Sequence, residues 1–302
     1  MLSCDDYITA RSLDEAFDAM AAHRGGFRLV AGATDTYPWA REGRAGDVHV
    51  PALIDVARIP ELRERSVGAR LRLGAATPIQ RFLDDPDLVR ALPCMPRCAV
   101  WFADDQIREQ ATLGGNIVNA SPAADAVPPL IAHEAEVELA SRRDGTIRRR
   151  RIPLTEFIAG PGKTTLAPDE ILVAIECDAL PGHGGSFEKV GHRRSLVISL
   201  VCLAALVKLD ASGRRFADIR LAIGGIGPVP QRLADVERYL MAGAIDRDRL
   251  ERAAAMPVDL VQSRTRRAYR REVVRGFLLR GLLDAAARAG ADLGSELEAA
   301  HG

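Results

Sequence analysis

The chain has 302 residues, too many for one small core, which predicts two or three α/β or α+β modules. Lysine and arginine together number 41, as do aspartate and glutamate. The formal net charge is therefore zero, and the basic excess expected of a nucleic-acid binder is excluded.

The first residues lack a basic segment followed by an apolar one, so no signal peptide is expected. The longest apolar run, over 196–207, is interrupted by Ser199 and followed by Lys208. It is too short to span a bilayer and reads as a buried strand. The five cysteines are odd in number and scattered, which suggests a reducing compartment and a cytoplasmic protein. Cys94 and Cys98 lack further partners at metal-ligand spacing and read as plain thiols near a helix start.

Along the chain, short strands alternate with helices. Ser12 with Glu15 forms a capping box that opens a helix to about Ala22. Gly25 and Gly26 end it, and a strand over 27–31 runs into a glycine turn. Strands are predicted over 48–56 and 71–75, and Thr77-Pro78 reads as a helix start. A helix over 94–105 precedes the segment 111–125, which is followed by a helix to about His133. Residues 135–152 form a predicted hairpin turning at Asp144-Gly145. Its second strand carries four arginines, Arg148 to Arg151, read as a solvated face before a docking patch. A strand over 170–177 leads into a turn-rich linker, 180–185, where a domain boundary is placed. Beyond it come strands over 186–190, 197–209 and 216–224. Helices follow over 231–241, 246–255 and about 266–289, the last closed by Gly290.

Two glycine turns are the candidate sites. The first comprises Leu29, Val30, Ala31, Gly32, Ala33, Thr34 and Asp35. The second starts at Thr112 and includes Gly114, Gly115, Asn116, Ser121 and Asp125. Small residues at a strand end let a ligand approach the backbone, and successive amides there can bind an anion. Thr34, Thr112, Asn116 and Ser121 add neutral hydrogen-bonding groups. Each turn alone is more often just a turn, and Ser121-Pro122 with Asp125 also fits an ordinary helix N-terminus. Neither turn matches a P-loop or a G-x-G-x-x-G fingerprint. No H-x-x-x-H, H-E-x-x-H or G-x-S-x-G pattern is found, so neither a metal site nor a catalytic side chain is predicted. Lys163, after Pro161-Gly162, could touch an anion or face water. Lys189, on a strand shared with Phe187, could reach into a cleft.

These stretches together resemble the FAD subunit of the molybdenum hydroxylases, the xanthine dehydrogenase and carbon monoxide dehydrogenase family, from about residue 4 to 290. The motifs are A-G-x-T-D at 31–35 and T-L-G-G-N-x-x-N-A-S-P-A-A-D at 112–125. Supporting stretches are Pro161 to Thr164, Asp169 to Leu172, F-x-K-x-x-x-R-R at 187–194, 223–228, and Tyr269-Arg270-Arg271. The resemblance implies an α+β, vanillyl-alcohol-oxidase (PCMH-type) FAD-binding fold of two α+β subdomains. A C-terminal α+β domain with a small antiparallel sheet and helices would follow. The FAD-binding domain would span 1–178, split near 56, and the C-terminal domain 179–302. Residues 29–35 and 112–116 would hold the pyrophosphate and ribityl region of FAD. Asp125 would bond a cofactor hydroxyl, Leu172 and Lys189 would line the site, and Ile198 would lie near the isoalloxazine ring.

The function so implied is electron relay. A molybdopterin-containing large subunit would hydroxylate the substrate, a small subunit with two [2Fe–2S] clusters would pass electrons, and this chain would deliver them to NAD or another acceptor. A heterotrimer or a dimer of heterotrimers is the family's habit. No extra iron–sulfur insertion is present, so FAD alone is expected. Ala33 stands where a glycine is common, at little cost if its φ is negative. Leu196-Val197 stand where members often carry an acidic residue, which leaves a quinone or cytochrome acceptor open beside NAD. The rival readings are a stand-alone flavoenzyme of the same fold and a non-enzymatic nucleotide-binding scaffold.

Overall fold

A computed structural model describes residues 2–44, 46–193, 196–263 and 265–291. The predicted capping box forms. Ser12 Oγ accepts from the Glu15 amide at 3.1 Å, and the Glu15 carboxylate accepts from the Arg11 amide at 2.7 Å, one residue upstream of the usual donor. The helix Leu13–Ala22 then crosses between two strands of a three-stranded sheet. In that sheet β1 (Ser3–Thr9) and β2 (Phe27–Val30) both pair parallel with β3 (His49–Asp55), which lies between them.

The second sheet is antiparallel and has five strands. β4 (Arg65–Ser66), β5 (Arg70–Gly74), β6 (Glu136–Arg143), β7 (Thr146–Pro153) and β10 (Glu170–Asp178) are ordered β4-β5-β10-β6-β7. The short pair β8 (Ile158–Gly160) and β9 (Lys163–Thr164) lies in the connection to β10. The β6–β7 hairpin turns through Asp144 and Gly145 at φ 52° and 72°, the left-handed pair a tight two-residue turn needs. A third, antiparallel sheet joins β11 (Gly184–Val190), β12 (Val201–Leu209), β13 (Phe216–Gly224) and β14 (Gln231–Arg232) in that order. The helices Ala234–Met241, Arg247–Ala255 and Arg267–Arg288 follow.

β12 explains its own sequence. Cys202, Ala204 and Leu206 join the core cluster that includes Phe17, Leu73, Val137, Leu130 and Ile175. Val201, Leu203, Ala205 and Val207 join a second cluster with Val274, Phe277, Leu278 and Leu282 of the long helix. Both faces are dry, so the strand is apolar without alternation. The same strand thereby ties the third sheet to everything before it.

Several expectations are corrected. Thr77 does not cap a helix: its hydroxyl donates to Gly74 O at 2.7 Å, Pro78 bridges to Thr112, and the next helix is the short Arg81–Asp84. The predicted helix over 94–105 is two helices, Met95–Trp101 and Asp105–Gln110, because Asp104 accepts from the Ile107 amide and starts a new one. Ser121 caps no helix. It accepts from the Ala123 amide in a turn, and the helix begins later, at Val127–Ala132. The arginine run is neither bare nor free. Arg149 and Arg151 flank Glu138, Arg150 binds Glu170, and Arg151 also reaches Glu176. Burial would raise the Glu138 carboxyl, but bonds from Arg72, Arg149 and Arg151 outweigh it and hold the group below its ordinary value. No helix among the described residues is long and apolar enough to cross a membrane.

Candidate functional site

The strand β2 ends at Val30, whose carbonyl accepts from the Val56 amide at 2.9 Å. Beyond it the backbone turns away. Among the described residues, the amides of Gly32, Ala33, Thr34 and Asp35 meet no protein acceptor. Four open amides in one turn form an anion-binding surface that needs no lysine. The turn is wedged against the chain that precedes the second motif: a Cβ on Gly32 would lie 1.9 Å from the Gln110 carbonyl oxygen. Ala33 has φ 53°, so the alanine at this position does carry the left-handed strain that a glycine would avoid.

The second motif works differently. Thr112 caps the helix Leu113–Val118, and all four amides from Leu113 to Asn116 are already bonded. They donate in turn to Thr77 O, Ala75 O, Thr112 Oγ1 and Thr112 O, at 2.8–3.1 Å. Open backbone amides are therefore offered by the first turn and not by residues 113–116 of the second. The second motif instead offers a bare backbone at exposed Gly115 and the Asn116 side chain. Gly114 packs against Ala75, where a Cβ would come within 2.7 Å. Asn116 Oδ1 is buried with no hydrogen-bond partner, an acceptor fit for a ligand hydroxyl. Asn119 Nδ2 donates to Asp35 Oδ2 at 2.9 Å and joins the two motifs directly. Asp35 is exposed as a residue, yet partial burial of its carboxyl raises the pKa above the ordinary value.

A third element completes the cluster. As the strand alternation predicts, Phe187 and Lys189 of β11 share a face: Phe187 enters the first core cluster and Lys189 reaches Asp125. Lys189 Nζ donates to Asp125 Oδ2 at 2.5 Å and to Trp101 O at 3.1 Å. Ser199 Oγ donates to Asp125 Oδ1 at 2.5 Å. Only 4% of the lysine side chain and 10% of the aspartate side chain remain exposed, so this pair is withdrawn from water. Burial pushes the Asp125 carboxyl above its ordinary value, with Lys189 and Ser199 pulling against it. The chain has three lysines, and this one alone is buried, since Lys163 and Lys208 face solvent.

Of the remaining expected residues, Leu172 is buried beside a bulge in β10, against which the helix Leu113–Val118 packs. Ser121 Oγ accepts from the Ala123 amide at 3.2 Å. Ile198 is 78% exposed, one residue from Ser199. Lys163 faces water. Arg194 of the F-x-K-x-x-x-R-R stretch lies outside the described residues. Cys94 and Cys98 donate to Ala205 O and Asp125 O, and burial pushes both thiols far above their ordinary range. No His, Cys, Asp and Glu cluster fit for a metal occurs among the described residues.

Sequence reasoning missed Ser199, Trp101 and the contact role of Asn119. Ser199 had a signal, as the one polar residue inside an apolar run. Trp101 contributes a carbonyl, which no side-chain pattern reports. Backbone strain marks the same place: Ala33, Ala103, Ala120 and Leu196, one on each converging segment, all have φ between 47° and 53°. An open amide turn, an unpartnered buried acceptor and a dry carboxylate within joined segments fit a ligand with a pyrophosphate and several hydroxyls.

The family model described as "FAD binding domain in molybdopterin dehydrogenase" matches residues 2–177, and the one described as "CO dehydrogenase flavoprotein C-terminal domain" matches residues 186–285. The chain is 31% identical over 255 residues to the xanthine dehydrogenase FAD-binding subunit of Escherichia coli O157:H7, covering 83% of this chain and 84% of that one. It is 29% identical over 251 residues to the carbon monoxide dehydrogenase medium chain of Hydrogenophaga pseudoflava, covering 82% and 84%. Its structure is similar to a chain of carbon monoxide dehydrogenase from Hydrogenophaga pseudoflava, with TM-score 0.86 and 26% identity over 95% of this chain and 99% of that chain.

Proposed function

The chain belongs to the family of FAD-binding subunits of the xanthine and carbon monoxide dehydrogenases, and on that premise we propose that it relays electrons within a larger complex. Its fold is the α+β, PCMH-type fold of that family, its cofactor is FAD, and it is a subunit of an oxidoreductase. The partners in this reading are a molybdopterin-containing large subunit and a small [2Fe–2S] subunit, assembled as a heterotrimer or a dimer of heterotrimers. The division into an FAD-binding domain over 1–178, split near 56, and a C-terminal domain over 179–302 is part of the same reading. So is a cytoplasmic location, in keeping with five free cysteines.

Bound FAD supplies the chemistry of accepting and delivering electrons. The chain supplies position and shielding. In this reading the amides of residues 32–35 hold the pyrophosphate, with Leu29, Val30 and Ala31 leading into the turn. Gly115, Asn116, Ser121 and Asp125 face the ribityl and ribose hydroxyls, on a backbone that Thr112 and Gly114 hold in place. Leu172 backs the site, Lys189 and Ser199 orient Asp125, and Ile198 covers the ring. No side chain acts as acid or base.

The observation that carries this reading is the Asp125 cluster, which draws Lys189 and Ser199 onto a buried carboxylate of the same motif whose Asn119 bonds Asp35. The loop over 190–200 contains no carboxylate and exposes Leu196 and Ile198. His192 and Arg193 of the same loop are also exposed, and the acceptor in this reading is NAD or another, such as a quinone or cytochrome.

The test is flavin content. The purified chain, heated to release its chromophore, is expected to give FAD near one equivalent, and Asp125→Ala is expected to lower that occupancy several-fold. Full retention of FAD by the folded variant would remove the assignment.

A further inference from the structure

Arg270 stands in the long C-terminal helix, 7% exposed, and its guanidinium bonds to no carboxylate among the described residues. A buried guanidinium without a counter-ion is costly unless its donors are met by other acceptors. Here they are met by carbonyls. One Nη donates to Leu200 O and, at 2.7 Å, to Gly225 O, while Nε donates to Thr265 O at 3.1 Å.

The two carbonyls lie on the segments that carry the cofactor cluster. Leu200 follows Ser199, the residue whose hydroxyl holds Asp125. The Leu200 amide in turn donates to Val190 O at 2.8 Å, next to Lys189. Gly225 has φ 80°, and its amide donates to Pro122 O at 2.8 Å, inside the second flavin motif. A Cβ on Gly225 would lie 2.5 Å from Leu200 O, so these two segments meet backbone to backbone. One Nη spans the two carbonyls while Nε holds Thr265 O, so the rigid guanidinium fixes three acceptors from two nitrogens; an ammonium has one nitrogen and cannot occupy both places.

We propose that Arg270 is a positioning residue for the flavin, clamping Leu200 and Gly225 together so that Ser199 meets Asp125 of the second motif in one geometry. The inference rests on the reading that Asp125, Lys189 and Ser199 face FAD. It assigns a role in the cofactor site to a helix that packs on β11 and β12.

The experiment is a double-mutant cycle on the full chain, read as the dissociation constant for FAD by recovery of flavin fluorescence. The variants are Ser199→Ala, Arg270→Met and the two combined. Each single change is expected to weaken FAD binding about tenfold, and the double about tenfold as well, because Ser199 is already misplaced without the clamp. A double weakened about a hundredfold would show independent effects and overturn the proposal. If Arg270→Met does not fold, Arg270→Lys enters the same cycle, with the same criterion. If Ser199→Ala and Asp125→Asn both bind FAD as the unaltered chain does, the site reading falls and the clamp with it.

Discussion

Replacing Lys189 by methionine keeps the length and bulk of the side chain and removes only its charge. Asp125 would then be a carboxylate with one remaining side-chain donor, Ser199, in a site almost closed to water. Removing one partner of a buried ion pair costs about 3–5 kcal/mol, a large part of the 5–15 kcal/mol that stabilises a typical domain. The sign with pH follows from the direction of the shift. Burial already raises the Asp125 carboxyl, and loss of Lys189 removes the strongest influence opposing it. A carboxyl whose folded pKa is raised costs nothing below its unfolded value near pH 4. Above that it costs about 1.4 kcal/mol per pH unit until the raised folded value is passed. Lys189→Met should therefore be nearly as stable as the unaltered chain at pH 4 to 5 and progressively less stable toward pH 7. Denaturant unfolding across that range measures it. Asp125→Asn with Lys189→Met, which discharges both partners, should recover most of the loss at pH 7. A pH-independent loss, or a double variant no better than the single, would refute the argument.

Other expectations can be checked with the same tools. Gly32→Ala places a Cβ 1.9 Å from backbone oxygen and should destabilise the chain by about 2 kcal/mol or more while releasing FAD, seen in unfolding midpoints and flavin content. Ala33→Gly relieves a left-handed alanine and should stabilise by up to about 1 kcal/mol with FAD retained, measured by thermal unfolding. His133 is fully buried, donates from Nδ1 to Asp178 O at 2.8 Å, and is pushed down to about 4, chiefly by burial. Its neutral form thus supports the fold fully above pH 6.5. That support, about 3 kcal/mol, is lost as pH falls toward 4. His133→Asn keeps a donor and should flatten this acid loss in a stability-versus-pH series.

Legibility in the sequence followed the range of the interactions. The Ser12 cap, the Asp144-Gly145 hairpin and the 267–288 helix depend on residues a few positions apart, so their patterns could be read directly. Where a local cue had a distant competitor, the reading failed. Thr77 spends its hydroxyl on Gly74, and Pro78 pairs with Thr112 far along the chain.

By itself, the sequence carried the family resemblance, and with it the cofactor class, because the two motifs are runs of consecutive small and hydroxyl-bearing residues that can be read in order. It also determined that Lys189 would share a face with Phe187, since strand alternation is local. Only the tertiary structure decided which amides stay open. Those of the second motif are consumed by Thr77, Ala75 and Thr112, whereas those after Val30 are not. It alone brought Asp35 to Asn119 and Ser199 to Asp125, contacts 84 and 74 residues apart. The physical reason is that a hydrogen bond is set by where the backbone segments pack, and that packing joins residues far apart in the chain, as the two-faced burial of β12 does for the third sheet.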